Sequence, residues 1–175
     1  MTMPDYLAPQ LGDRLLAGAS LAMLTVATFA LSRAGARWQA EPLSVWVHLG
    51  TVGIALGLTP VMLLRQRGDR LHRLLGWIWA SAMFGTAAAS LAIRQINHGQ
   101  FSVIHLLSIW TLLMIPRIVW MARKGDTIRH RRGVRGLVLG GLILAGVFTF
   151  TPGRLLGYGL LSAAYGSPPA GTPAQ

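Results

Sequence analysis

The chain has 175 residues, which suits one domain. Apolar residues make up 53% of it and charged residues only 12%, against roughly 25% charged in an ordinary soluble domain. A net charge of +11 would suit a nucleic-acid binder. The basic residues, however, lie between long apolar runs and not along one face, so nucleic acid is excluded as an expected partner. The chain has no Cys. That excludes disulfides, thiolate metal sites, iron–sulfur clusters and thioether haem attachment.

Five apolar segments follow in chain order: Leu15 to Leu31, Val45 to Leu64, Leu74 to Ile93, Phe101 to Met121, and about Gly136 to Thr151. Crossing hydrocarbon takes about 20 residues as a helix, with 17 a common lower limit. The first segment is short but adequate, and the fifth is the shortest. The leader before the first segment carries Asp5, Asp13 and only Arg14, which does not make a signal-peptide n-region. The first segment is therefore read as a retained helix. The expected fold is an all-α integral membrane bundle of about five transmembrane helices over 1–161. Residues 162–175, rich in Pro, Gly, Ala and Ser, read as a disordered tail.

Loop charges set the expected orientation. Arg14, the second loop (Arg65, Arg67, Arg70, Arg73) and the fourth loop (Arg123, Lys124, Arg129, Arg131, Arg132, Arg135) share one side. The other side has Arg33, Arg37, Arg94 and Arg154. Eleven against four puts the N-terminus in the cytoplasm and the C-terminus outside a bacterial inner membrane. Arg117 lies close enough to the fourth loop to extend to the cytoplasmic surface. Gly53-x-x-x-Gly57, Gly85-x-x-x-Ala89 and Gly136-x-x-x-Gly140 are small-residue pairs that let helices approach closely in lipid. Pro60 and Pro116 fall late in the second and fourth spans and are expected to bend them.

The last four segments contain an internal duplication. Val47-His48-Leu49 recurs as Ile104-His105-Leu106, and Arg67-Gly68-Asp69 as Lys124-Gly125-Asp126, each 57 residues later. His72-Arg73 recurs as His130-Arg131 after 58 residues, and Pro60 as Pro116 after 56. The repeat units are about 44–100 and 101–160. Each is two helices joined by a basic Gly-Asp loop, so the copies are parallel repeats about an axis along the membrane normal.

The duplication groups the histidines. His48 and His105 pair near the outer face, His72 and His130 pair near the inner face, and His98 is left in an outer loop. Two imidazoles facing each other across a bundle are a natural bis-His haem b site, with all four histidines as iron ligands of one or two haems. Such an iron has no open position, so it carries electrons, with quinone or a redox protein as partner. Asp69 and Asp126 precede the inner histidines. The reading as helix caps is favoured over a role in orienting ligand rings. Arg73, Arg129, Arg131 and Arg132 lie where haem propionates would need partners, although charge-set orientation alone explains them.

At these residues the sequence resembles an uncharacterised bacterial family of multi-pass membrane proteins, the domain of unknown function 2306. The matching pieces are Val47-His48-Leu49, the Gly68-to-Arg73 loop, Ile104-His105-Leu106-Leu107, His130-Arg131 and Phe150-Thr151-Pro152-Gly153-Arg154. The resemblance covers about residues 43 to 160 and implies membrane insertion, with no activity attached. The order of histidines by helix also looks like the ascorbate-reducible diheme b-type cytochromes. That likeness implies one haem near each face. The present chain departs from it in having five spans, shorter loops and inner histidines nearer the surface.

Two readings of the histidines stay open: haem ligation for electron transfer, and a non-catalytic membrane scaffold or assembly factor with structural histidines. A transporter is less favoured, because all five acidic residues fall at termini or loops and intramembrane carboxylates commonly mark ion paths. No nucleophile–base–carboxylate grouping or metalloprotease motif points to a catalytic residue.

Overall fold

The computed structural model describes residues 9–33, 41–93, 103–150, 156, 157 and 160. Asp5, His98, Arg37, Arg94, Arg154 and the tail at 162–175 lie outside them. Among the described residues every regular element is helical. The order is α1 (Leu11–Ser32), α2 (Leu43–Leu64), α3 (Arg70–Ala92), α4 (Val103–Arg123), α5 (Thr127–Leu137), a π-helical stretch (Val138–Leu144) and α6 (Ala145–Phe148).

Helices α1 to α4 are each long and apolar enough to cross a membrane. The fifth rod is divided in character. Its first part carries Arg129, Arg131, Arg132 and Arg135, and only the part from Leu137 onward is apolar. It nonetheless runs on as one helix, because Val138 and Ala145 at the junctions both keep right-handed helical backbone. The π-helical stretch contains Gly140-Gly141. Such wide turns are uncommon and place residues off the ordinary helical register.

One boundary differs from the expectation. α1 begins at Leu11, not Leu15, because its backbone starts where Asp13 can accept the Gln10 N–H at 2.9 Å. Asp13 is therefore in the first helical turn, and not in a leader as expected.

The turns of the two hairpins are built alike. Gly68 and Gly125 each take a left-handed φ, +89° and +74°, which side chains with a Cβ adopt at a cost. The Asp that follows each glycine caps the next helix. Asp69 Oδ1 accepts the His72 backbone N–H at 2.6 Å, and Asp126 Oδ1 accepts that of Arg129 at 3.0 Å. The capping reading of both carboxylates thus holds, and neither bonds an imidazole ring among the described residues.

The helices pack in sequence order: α1 on α2, α2 on α3, α3 on α4, α4 on α5. The π-helical stretch packs back on α1 and α4 and closes the bundle. The core between them holds Leu56, Met83, Ile115, Ile118, Leu137 and Leu142. Trp79 donates its indole N–H to Thr59 Oγ1 at 3.0 Å inside this core, which satisfies the polar edge of a buried aromatic. Outside, large apolar side chains stand exposed, among them Leu106 at 68% and Leu113 at 69%. A water-facing surface rarely carries so much apolar area, whereas a lipid-facing one requires it.

The glycines behave differently from their expected pairs. Gly85 would bring a Cβ within 3.3 Å of Thr51, and Gly140 within 3.1 Å of Trp110, so these two allow close approach. Gly53 and Gly136 have nothing within 4 Å of such an atom. The tightest site is Gly133, where an added Cβ would lie 2.7 Å from Ile118 Cγ1.

Candidate functional site

The four histidines occupy two ends of the bundle. His48 is half-buried on α2, and its Nδ1 lies 3.0 Å from the main-chain carbonyl of Thr86 on α3. A carbonyl can only accept, so this contact puts the proton on Nδ1 and leaves Nε2 with its lone pair. The Thr86 hydroxyl then reaches Thr51 Oγ1 at 2.9 Å, and Thr51 in turn bonds the carbonyls of Val47 and His48. A polar patch therefore fixes His48 to α3.

His105 is buried on α4, 3% exposed. One turn on, Ser108 shares a 2.5 Å hydrogen bond with Ser90 of α3. Helices α2 and α4 are not principal packing neighbours, since each packs mainly on α3. His48 and His105 thus flank the same helix.

At the other end, His130 on α5 repeats the His48 arrangement. Its Nδ1 lies 3.1 Å from the carbonyl of Ile118 on α4, so the ring donates from Nδ1. His72, in the first turn of α3, is half-buried, and its Nδ1 has no hydrogen-bond partner among the described residues. It lies within electrostatic reach of His130, Arg67, Asp69 and Arg65. His72 and His130 are thus brought into one neighbourhood. Asp69, at the exposed N-cap beside them, has its carboxyl held below the usual range. The His72 backbone N–H is the main cause, with Arg65 adding to it.

The expected arginine partners are largely engaged within the chain. Arg73 donates to the Gly68 carbonyl at 2.9 Å, Arg129 pairs with Asp126 at 3.2 Å, and Arg131 pairs with Asp13. Arg117 is exposed on α4. Among the described residues no group of three or more His, Cys, Asp or Glu converges as a metal cluster would require.

The most connected polar group is one that sequence reasoning assigned to a leader. Asp13 is fully buried. Its Oδ2 accepts from Arg67 at 2.8 Å and from Arg131 at 2.5 Å, and its Oδ1 accepts from Arg135 Nε at 2.7 Å. Arg135 also donates to Gln10 Oε1 at 3.0 Å. One carboxylate thereby ties α1 to the α2–α3 turn and to α5. The sequence held a signal for this: Gln10 and Asp13 stand three apart immediately before an apolar run, the spacing of a helix start.

No family model, no curated protein and no solved structure matches the chain.

Proposed function

We propose that the protein is a multi-pass protein of the bacterial inner membrane that carries electrons on bis-His haem b, with His48 and His105 serving one site and His72 and His130 the other. The carrying observation is the pair of Nδ1 contacts, His48 to Thr86 and His130 to Ile118. Metal-ligating histidines typically donate one ring N–H to a carbonyl or carboxylate, which fixes the tautomer and aims the other nitrogen at the metal. One member of each expected pair is set in this way by the backbone of the adjacent helix, and this is the feature that supports haem ligation. Haem in such a site supplies one-electron transfer to quinone or a redox protein. The protein's part is to hold the ring planes and keep water from the iron.

The two matching Gly-Asp turns support the tandem-repeat reading, in which each hairpin contributes one histidine to each face. The basic loops support a cytoplasmic N-terminus.

A second reading is favoured by the Asp13 cluster. Its three arginine contacts join the first helix to the turn of the first hairpin and to the fifth rod, as a non-catalytic scaffold would require. A transporter is not favoured, because Asp13, Asp69 and Asp126 serve helix starts or ion pairs.

The test is a reduced-minus-oxidised visible spectrum of the full chain purified from haem-replete cells. A sharp α-band with a shifted Soret peak is expected. His48→Ala and His105→Ala should each remove one chromophore, and His72→Ala and His130→Ala the other. A flat spectrum with no metal by elemental analysis would overturn the haem reading and leave the scaffold reading standing.

A further inference from the structure

On the outside of the bundle, an open groove of about 470 Å³ runs between α3 and α4. Its walls include Trp77, Ala80, Phe84, Pro116, Trp120 and Arg123. Apolar atoms dominate it along the stretch from Trp77 to Phe84, roughly 10 Å at 1.5 Å per residue. Its charged end coincides with the arginine-rich end of the bundle, where α4 finishes and α3 begins.

Two cations stand at that end on aromatic faces. The Arg123 guanidinium lies 5.4 Å from the Trp77 ring centre, and the Lys124 ammonium 4.0 Å from that of Trp120. Neither has a carboxylate partner among the described residues, where the ion pairs involve Arg65, Arg67, Arg129, Arg131 and Arg135. The nearest carboxylate in sequence, Asp126, is already occupied by the Arg129 side chain and backbone.

These features select an amphiphile of one type. The apolar trough suits a hydrocarbon chain, and two indoles at its mouth suit the boundary between chains and headgroups. Two cations with no nearby unengaged carboxylate favour a headgroup with net negative charge. A zwitterionic headgroup would bring an ammonium or choline group that finds no partner there. We propose that the groove holds an acyl chain of an anionic phospholipid whose phosphate sits on Arg123 and Lys124. This site rests on the membrane reading and is independent of the haem reading.

The experiment uses the full chain, recovered from membranes that have been washed with carbonate. Recovery in the soluble wash would overturn the membrane reading itself. The purified protein is given equimolar phosphatidylglycerol and phosphatidylcholine with matched chains in mild detergent, and the retained lipid is counted by native mass spectrometry. A basic residue near an anionic headgroup is worth about fivefold in affinity, so two give a preference of about 25-fold for phosphatidylglycerol. The double variant Arg123→Gln/Lys124→Gln should lose it, while Arg70→Gln/Arg132→Gln should keep it. Ser81→Trp, which fills the groove and leaves both cations, should also lose it. Equal retention of the two lipids by the parent protein would overturn the site. So would a preference that survives Ser81→Trp, which would show attraction to basic surface in general.

Discussion

Replacing Asp13 by Ala should destabilise the bundle by about 3 kcal/mol, a figure that follows from what the carboxylate touches. It accepts hydrogen bonds from three guanidiniums and one backbone N–H. At 4 Å and an effective dielectric constant near 20, each guanidinium pair is worth about 4 kcal/mol, so the gross attraction is on the order of 10 kcal/mol. The desolvation of a wholly buried carboxylate opposes this by several kcal/mol, and so does the mutual repulsion of three cations. Removing one partner from a buried ion pair costs about 3–5 kcal/mol. The lower end applies because the side chains of Arg67, Arg131 and Arg135 keep 15%, 14% and 27% exposure and can turn to water or headgroups. Asp13→Asn keeps one acceptor oxygen and should cost about 2 kcal/mol. Arg135→Ala alone should cost about 1 kcal/mol, and the double variant Asp13→Ala/Arg135→Ala should cost no more than Asp13→Ala, since both act on one network. The assay is unfolding of the micellar protein by a denaturing detergent, followed by the fluorescence of its six Trp residues. A change under about 0.5 kcal/mol for Asp13→Ala, or additive costs in the double variant, would refute the reasoning.

Two further outcomes are expected. Gly133→Ala should cost about 1–3 kcal/mol by overpacking, since its Cβ would lie 2.7 Å from Ile118 Cγ1. Gly136→Ala meets nothing within 4 Å and should be neutral or gain about 0.5–1 kcal/mol from helix propensity; the same detergent titration compares them, and a reversed order would sink the packing argument. The Asp69 carboxyl is held below its ordinary range, so its capping contribution is present at neutral pH and lost only as pH falls through that lowered value. Protection of the His72 amide against hydrogen exchange should therefore fall on acidification in the parent protein and not in Asp69→Asn; identical acid profiles would show that Asp69 does not carry the cap.

Much of the fold was legible because apolar runs of about 20 residues, with the charges between them, mark long helices. α2, α3 and α4 fall within a few residues of the expected segments, and both aspartate caps could be read from sequence. Three things could not. The start of α1 was obscured because an acidic residue beside an apolar run looks like a leader until its three arginine partners are in place. The fifth rod was obscured because its helix is continuous while its charge is not. The glycine contacts were obscured because spacing along one helix does not say which neighbour faces it, so Gly133 was missed and Gly53 and Gly136 were over-read. For the histidines, residue type and repeat spacing pointed to the positions, but the carbonyls that orient His48 and His130 come from Thr86 and Ile118, whose identity in sequence carries no such information.

The partners of Asp13 have a consequence for the order in which the protein is made. They lie 54, 118 and 122 residues downstream. At a synthesis rate of about 5–20 residues per second, the last of them leaves the ribosome on the order of 10 s after Asp13 does. During that interval the first helix is in place without its full set of cations, and the ties to α5 form only once the fifth rod is delivered. A chain that stops short of Arg131 keeps the packing of α1 on α2 but holds Asp13 by the Arg67 contact alone, one ion pair in place of three.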